Sequence, residues 1–397
     1  MTQEQTQRKS GFSRRSFLVG AAAAGGTTLA VGATAVAAES VALGDDGLVE
    51  HPPVDFRGTH QAGIATVQQD RLFFAAFDLA TSGTPAQQRR AVQDMLARWT
   101  VAAEAMSKGE VVPGLNEDPT APPADTGEAI GLLPARLTIT IGFGPSFFDK
   151  RLELKAARPP ALTTLPALPG DELDPARSNG DICIQACSDD PQVAFHAIRN
   201  LTRLGRGTVV MKWSQLGFGR TSQTTSDQKT LRNLMGFKDG TRNINSEQAI
   251  DMDKWVWAGS DSGKDWMTGG SYLVSRRIRM LIESWDRDDL ADQQDVFGRL
   301  KYNGAPMSGG DEFTAPDFSA KNAAGDLVIP EHAHIRLASP EGNDGVKLLR
   351  RGYSFTDGTD SVTGQLDAGL FFLASMKNPE QFVTLQRKLG ASDLLNE

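Results

Sequence analysis

The chain has 397 residues, of which 40% are hydrophobic and 23% charged, as in an ordinary globular protein with room for two domains. Its formal net charge is −8 and its basic residues are scattered. This composition argues against a nucleic-acid partner, which would require a concentrated basic surface.

The N-terminus differs from the rest of the chain. Arg14 and Arg15, in SRRSFL, precede the uncharged segment 17–38. A basic segment followed by an apolar one with small residues at its end predicts a secretory signal, and the arginine pair favours twin-arginine export of a folded protein. A membrane anchor is the alternative, although glycines and threonines make the segment weakly apolar. We expect a signal peptide at 1–38, a linker at 39–58, and a periplasmic, extracellular or cell-surface protein.

The next part of the chain shows a regular order of elements. Apolar alternation from His60 predicts a strand, and helical spacing between Pro85 and Gly109 predicts a helix. Further along, the pattern predicts two strands, an amphipathic helix and a strand, in the segments RLTITIGF, DICIQAC, DPQVAFHAIRNLTRLG and GTVVMKWSQLGF. Strand, helix, strand, strand, helix, strand is the order of a ferredoxin-like unit, which we assign to residues 59–235.

The two cysteines, Cys183 and Cys187, lie in the predicted strand DICIQAC. Four strand residues span roughly 13 Å, which is too far for a disulfide within one strand. We therefore expect two free thiols in the core, as suits a protein that folds in a reducing cytoplasm before export.

The second half repeats the order less clearly. We expect strands in SYLVSRRIRMLIESW, HAHIRLAS, LLRRGYSF and AGLFFLASM, and helices in DLADQQDVFGRLKYNG and PEQFVTLQRKLG. The fold class is therefore α+β, with two ferredoxin-like domains whose antiparallel sheets carry packed helices. The second domain is assigned to residues 236–397, and ligand clefts tend to form at such a domain boundary.

At that boundary lies GFKDGTRN, in which Asp239 stands between two glycines. A surface turn is one interpretation, because Asp-Gly is a common turn dipeptide. Arg350 and Arg351, in LLRRGYSF, would point to opposite faces of a strand, and the inward one would need an anion such as Asp239. Asp239 and an arginine therefore form a candidate site.

Histidines offer a second candidate. His332 and His334, in HAHIRLAS, would face the same side of a strand. They could be two histidines on the face of a sheet, or one of them could bind a metal or a haem iron. Leu370 and Phe372, in AGLFFLASM, indicate a sheet core or the wall of an apolar pocket.

The elements GFKDGT, AHIR, LLRRGYSF and GLFF, in this order, resemble the dye-decolourising haem peroxidases. The resemblance covers most of the chain from about His60, and is strongest to the twin-arginine exported branch that includes the deferrochelatase/peroxidases of iron uptake. It implies two ferredoxin-like domains of the dimeric α+β barrel type, with one haem b in the C-terminal domain. It also implies hydrogen peroxide and a small-molecule electron donor as substrates, and leaves iron-uptake components and a homodimer as further partners.

The resemblance also assigns roles to residues. Asp239 becomes the distal acid/base, Arg350 the distal arginine, and His334 the proximal iron ligand. Leu370 and Phe372 line the distal pocket, whereas Arg242 or Arg336 is assigned to the haem propionates by charge and nearness. The carboxylate that orients His334 stays open, with Glu397 in the final segment ASDLLNE as a candidate.

A peroxidase is the function that these residues favour, with an acidic optimum set by Asp239, because carboxyl groups titrate far below neutral pH. Three alternatives stay open. A deferrochelatase would release iron from haem on the same fold. An exported haem carrier would need His334 but not an Asp–Arg pair, and a chlorite-decomposing relative would need the arginine but not the aspartate.

Overall fold

The computed structural model of the protein describes residues 42–43, 49–114, 118–222, 224–225 and 228–396. The predicted signal peptide and part of the predicted linker lie outside these residues. Among the described residues, no helix combines the length and the apolar character needed to cross a membrane.

The first half contains the predicted order of elements. Its strands are β1 (Ala42–Leu43), β2 (Val49–Glu50), β3 (Arg71–Leu79), β4 (Thr138–Phe143), β5 (Ile182–Ser188) and β6 (Val209–Arg220), and its helices are α1 (Pro85–Ser107) and α2 (Pro191–Leu204). From β3 to β6 this is the β-α-β-β-α-β order of a ferredoxin-like unit.

Local sequence explains why both long helices of this half begin where they do. The Thr84 hydroxyl accepts a hydrogen bond from the Gln87 backbone in a capping box, and Pro85 occupies the first turn of α1. Asp190 caps α2 in the same way, before Pro191. Trp99 of α1 is fully buried and donates from Nε1 to the carbonyl of Leu201 in α2, at 2.8 Å, which ties the two helices together on one face of the sheet.

The second half supplies the remaining elements. They are α3 (Ala249–Trp255), β7 (Tyr272–Arg279), α4 (Ile282–Trp285), α5 (Leu290–Phe297), α6 (His334–Leu337), β8 (Leu349–Arg350), β9 (Tyr353–Thr359), β10 (Leu366–Met376) and α7 (Glu380–Ser392). The segment between α5 and α6 is built mainly of turns and irregular backbone.

One antiparallel sheet joins the two halves. Its strands follow the order β4-β5-β3-β6-β9-β10-β7, and the short β8 also pairs with β10. The junction is the pairing of β6 with β9, where Phe218 lies opposite Ser354. The predicted α+β class is therefore confirmed, with the sheet continuous from one half to the other. The domain bounds 59–235 and 236–397 stay a prediction.

The segment around His334 was wrongly predicted to be a strand. It forms the short helix α6, which begins after Ala333 and is closed by the Ala338 amide donating to the His334 carbonyl at 2.9 Å. Pro330 and Pro340 bracket a run too short for its periodicity to separate helix from strand. As a result, His332 and His334 do not share a sheet face: the His332 ring is exposed near the Ser392 carbonyl, whereas the His334 ring is partly buried.

Two other predicted strands are shorter than expected. The strand expected from His60 begins only at Arg71, because the residues before it form turns that include Gly63 at φ +94°. The strand expected in SYLVSRRIRMLIESW ends at Arg279, after which α4 begins. Cys183 and Cys187 are free cysteines, as expected, but only Cys187 is fully buried in the core, whereas Cys183 is partly buried.

Candidate active site

The segment GFKDGTRN is a tight loop whose glycines have a conformational reason. Gly236 has φ +85° and Gly240 has φ +93°, both in the left-handed region where a side chain is disfavoured. Between them, Phe237 is buried at 1% exposure, and the Asp239 amide donates to the Leu231 carbonyl at 3.1 Å. The loop is therefore fixed at its apolar residue and at its backbone, and it holds the Asp239 carboxylate in a defined position.

Ion pairs hold the loop from outside. Glu312 pairs with Lys238, and its other carboxylate oxygen accepts from the Thr241 hydroxyl at 3.2 Å. On the opposite side, the Arg232 guanidinium donates to the Gly236 carbonyl at 2.7 Å and also binds the carbonyls of residues 301 and 302. This loop is thus clamped against the segment that follows α5.

Arg350 is the partner of Asp239. Its Nη1 donates to Asp239 Oδ1 at 2.8 Å, across 111 residues of sequence. The two side chains are 28% and 16% exposed, so the pair is partly buried yet still open to a small molecule. A carboxylate held by a guanidinium is kept ready to accept a proton, while the guanidinium can stabilise negative charge on a bound reactant.

Arg351 points the other way, as the alternation predicted. Its guanidinium is buried and donates to the Thr66 carbonyl at 2.6 Å and to the Gln69 side chain. This arginine therefore links the strand of Arg350 to the first half of the chain. Backbone and amide oxygens accept from its two terminal nitrogens, whereas the buried Nε has no hydrogen-bond partner.

His334 is oriented by Asp393. The ring Nδ1 lies 2.6 Å from Asp393 Oδ2, and that carboxylate is only 4% exposed. Burial lowers the pKa of His334, but the charge and hydrogen bond of Asp393 outweigh it, so the pKa lies above its ordinary value. With Nδ1 engaged, Nε2 is the nitrogen left to bind a metal, as in other carboxylate–histidine pairs.

The two pairs lie in one region of the molecule. The charges of Asp239 and Arg350 both act on His334, the first raising its pKa and the second lowering it. Phe297 also connects them, because its ring stacks on Phe237 at 4.0 Å between centroids and lies 6.2 Å from the His334 ring. An acid/base pair and a histidine with one uncommitted nitrogen are thus brought together from residues distant in sequence.

A cluster of guanidinium groups borders this region. Burial, followed by the nearby charge of Arg242, lowers the pKa of Arg299 to about 10, and Arg350 contributes in the same direction while Glu312 opposes it. Arg242 also pairs with Glu341 through two contacts, of 3.0 and 2.6 Å. Arg299 itself is buried and donates to the carbonyls of Gly304 and Glu312 at 2.6 and 3.0 Å. The charges of Arg242 and Arg350 reach it, and positive charge concentrated in this way suits a nearby anionic group.

Arg336 has a different environment from Arg242. Its guanidinium donates to the backbone carbonyls of Pro330, Phe318 and Ile329, at 3.0, 2.8 and 2.6 Å. These contacts stabilise the irregular segment before α6. Its assignment to a haem propionate stays a prediction, and its observed bonds favour a structural role.

Leu370 and Phe372 lie on the same face of β10 and are partly buried. The side chain of Leu370 lies beside Gly352: a Cβ added to this glycine would lie 3.1 Å from Leu370 Cδ1. Phe372 packs near Phe382 of α7, with 6.1 Å between ring centroids. Leu370 is therefore the one placed close to the strand of Arg350, whereas Phe372 contributes to the core beneath α7.

Two residues of this site were missed by the sequence interpretation. Asp393 lies in the final segment ASDLLNE, in which the sequence interpretation offered Glu397 as the carboxylate that orients His334. Glu397 lies outside the described residues. Arg299 follows α5 directly after Gly298, and a lone arginine after a helix-ending glycine carries no distinctive local signal. The sequence did offer one signal for Asp393, namely an aspartate without an assigned role directly after the last predicted helix.

Comparison with known proteins adds independent information. The family description "Dyp-type peroxidase, N-terminal" matches residues 61–219, and "Dyp-type peroxidase, C-terminal" matches residues 230–397. A dye-decolorizing peroxidase of Thermobifida fusca is 35% identical over 100% of this chain and 93% of its own length. A deferrochelatase of Escherichia coli K12 is 35% identical over 96% of this chain and 90% of its own length.

Solved structures give the same result. A DyP-type peroxidase from Streptomyces coelicolor is 40% identical, with a TM-score of 0.78 over 87% of this chain and 89% of that one. Ferric DtpA from Streptomyces lividans is 39% identical, with a TM-score of 0.78 over 87% and 89% of the two chains. The fold, the grouping of an Asp–Arg pair with a histidine, and these similarities lead to one conclusion: the chain belongs to the Dyp-type peroxidase family of haem enzymes.

Proposed function

We propose that this peroxidase binds one haem b per chain through His334, reduces hydrogen peroxide with Asp239 and Arg350, and oxidises small one-electron donors such as dyes or phenols. The observation that carries the proposal is the 2.8 Å Asp239–Arg350 pair within electrostatic reach of His334. A haem carrier would have no use for such a pair.

The residues present fit a haem. His334 has Nε2 free of the Asp393 bond, and imidazole is a common axial ligand of haem iron. Arg242, whose side chain is 36% exposed and pairs with Glu341, supplies positive charge for the carboxylates of the propionates. The buried ring of Phe297, whose centroid lies 6.2 Å from that of the His334 ring, makes the surroundings of this histidine apolar.

Haem, when bound, supplies the iron that binds peroxide and receives its two oxidising equivalents. Asp239 accepts the proton from one peroxide oxygen and returns it to the other, which leaves as water. Arg350 stabilises the negative charge that develops as the O–O bond lengthens. Asp393 accepts the proton on His334 Nδ1, so that in the neutral ring Nε2 is the nitrogen with a free lone pair.

The experiment compares absorption spectra of the purified protein before and after peroxide, in a stopped-flow instrument. Asp239→Ala should retain haem and slow the first spectral change ~10²–10⁴-fold, the usual effect of losing one positioned acid/base group. The matched control is Asp171→Ala, because Asp171 forms a partly buried ion pair with Arg276 at 3.0 Å and has no part in the proposed reaction. An unaltered rate in Asp239→Ala would remove that carboxylate from the reaction.

A deferrochelatase function is the second candidate, supported by relatives of that name that are 35–36% identical to this chain. The reaction would release iron and leave the porphyrin intact, and iron-uptake components would then be its partners. Incubation with haem followed by mass analysis tests it, since intact iron-free protoporphyrin would be the product.

The N-terminal sequence supports a location outside the cytoplasm, reached by twin-arginine export with haem already bound. Replacing Arg14 and Arg15 by lysine should trap active precursor inside the cell. Normal export of that variant would point to the general secretory route.

A further inference from the structure

Asn243 makes a pair of contacts that the reaction described above does not use. It lies four residues after Asp239 on the same loop, and its side-chain amide binds the backbone of Arg350 at both polar groups. Asn243 Nδ2 donates to the Arg350 carbonyl at 2.8 Å, and the Arg350 amide donates to Asn243 Oδ1 at 2.8 Å. The Asn243 side chain thus forms the two hydrogen bonds that the backbone of a neighbouring strand would otherwise form with Arg350.

The sheet explains why this place is open. The next residue, Arg351, donates its amide to the Leu373 carbonyl in β10 at 2.8 Å, so the backbone groups of Arg350 face away from β10. Asn243 satisfies them there. A partly buried backbone N–H or C=O without a partner costs free energy of folding. Loss of the Asn243 side chain would leave both backbone groups of Arg350 without these hydrogen bonds, which anchor the chain there.

The two ends of the anchor carry the two members of the acid/base pair. Asp239 and Asn243 belong to one loop, and the backbone N–H of Asn243 donates to the Gly240 carbonyl at 2.9 Å, which closes the turn after Asp239. Arg350 is held by this loop twice, at its backbone by Asn243 and at its guanidinium by Asp239. The backbone contact therefore limits how far the guanidinium can move from the carboxylate.

We propose that Asn243 is a positioning residue for peroxide reduction, which fixes the backbone of Arg350 so that its guanidinium stays in contact with Asp239. The proposal rests on the proposed function of that pair. Asn243 acts through Arg350, and it needs no contact with peroxide or haem. Displacement of a reacting group by about 1 Å can cost on the order of 10²-fold in rate, so a lost anchor should be visible in the kinetics.

The test is a double-mutant cycle on the haem-loaded protein, with the rate of the first spectral change after peroxide as the readout. Asn243→Ala should slow this step ~10–100-fold. In a protein that already carries Arg350→Leu, the same change should have less than about a 2-fold effect, because the group that Asn243 positions is gone. Equal slowing in both backgrounds, or no slowing in the first, would overturn the proposal.

Two further variants separate positioning from general stability. Asn200→Ala is the matched control, since the buried Asn200 amide also bonds backbone and side chain, donating to the His196 carbonyl at 3.1 Å and to Thr126 at 2.8 Å. It should lower the unfolding temperature and leave the peroxide rate unchanged. If Asn243→Ala loses haem, Asn243→Asp takes its place in the cycle, because it keeps the size and the oxygen that accepts from the Arg350 amide.

Asn243→Asp should react faster than Asn243→Ala where both hold haem, and a slower reaction would count against the proposal. The parent variants distinguish this inference from the proposed function. If Arg350→Leu and Asp239→Ala react with peroxide at the normal rate, the acid/base assignment itself is wrong. If they are slow while Asn243→Ala is normal, only the positioning role fails.

Discussion

The described residues contain two histidine–aspartate pairs, one in each half, and the two pairs differ in the ring nitrogen that the carboxylate engages. In the first half, His196 Nε2 lies 2.9 Å from Asp125 Oδ1, and the two side chains are only 6% and 7% exposed. In the second half, Asp393 engages Nδ1 of His334, whose side chain is 32% exposed. In the first pair the carboxylate contacts Nε2, the ring nitrogen farther from the backbone, whereas in the second pair Nε2 has no contact with the carboxylate.

The carboxylates differ as well. Asp125 accepts from the amides of Val112 and Gly127, both at 2.7 Å, and so fastens the loop between α1 and β4 onto α2. Asp393 follows α7 and reaches α6 from the end of the described chain. The same two residue types therefore fasten a loop in one half, whereas in the other they leave Nε2 of His334 available, as the proposed role of an iron ligand requires.

The largest expected effect tests this assignment directly. His334→Ala should lose most of the bound haem, because it removes the proposed axial ligand, whereas His196→Ala should retain haem and lose stability instead. The absorbance of purified protein in the haem region, divided by protein concentration, measures the difference. His332→Ala is a second control with an exposed ring, and should also retain haem. Haem loss in His332→Ala with retention in His334→Ala would reverse the ligand assignment.

The partner carboxylates should show a smaller contrast. Asp393→Asn removes the charge that orients His334, and loss of such an outer partner typically weakens metal binding ~10–100-fold. Haem transfer to an excess of an apoprotein acceptor measures this affinity. Asp125→Asn is the matched control and should release haem at the normal rate. Equal release rates from the two variants would show that Asp393 does not support the ligand.

How far the sequence predicts these features depends on their range. The helices α1 and α2 were predicted well because Pro85, Gly109, Pro191 and Gly205 mark their ends locally. The roles of Asp239, Arg350 and His334 came from a resemblance, and the structure brings these residues together without testing the chemistry. Asp393 was missed because its contact with His334 spans 59 residues and depends on how α7 docks.

The error at α6 has a related cause. Four helical residues carry too little periodicity to be distinguished from a strand, and the helix is held by bonds from Arg336 to carbonyls outside it. Likewise, the Asp-Gly dipeptide of GFKDGTRN indicated a turn, but only the structure shows that Gly236 and Gly240 both have left-handed conformations. Tertiary contacts therefore decided what short motifs left open.

Stability gives a third and smaller contrast. Asp125→Asn should lower the free energy of unfolding by roughly 1.5 kcal/mol, the lower end for hydrogen bonds to a charged group, because an amide keeps an oxygen acceptor but loses the charge. Urea unfolding of the haem-loaded protein near neutral pH measures it. Asp171→Asn, in the pair with Arg276, provides a comparison outside the loop. An Asp125 variant as stable as wild type would mean that the pair does not fasten the loop.

The smallest effect concerns pH, and the two pairs should act in opposite directions. The pKa of Asp125 lies below its ordinary value of 3.8, since the bonds from His196 and the backbone outweigh burial, which alone would raise it. Its contribution to stability is therefore present above about pH 3.8 and is lost as the pH falls through the lowered value in the folded protein. Asp125→Asn and wild type should become equally stable in acid.

The pKa of His334 is raised above 6.5 in the haem-free protein, so the pair with Asp393 contributes fully below that pH and is lost as the pH rises through the raised value. Urea unfolding of haem-free wild type and His334→Ala from pH 5 to pH 9 should show a difference that shrinks with increasing pH. With haem bound, the free nitrogen of His334 would be committed to iron and could not take up a proton, so the stability of haem-loaded wild type should no longer fall as the pH rises through this range. A slope that persists unchanged after haem loading would show that His334 is not the ligand, and the contrast between the two pairs would then reduce to their difference in exposure.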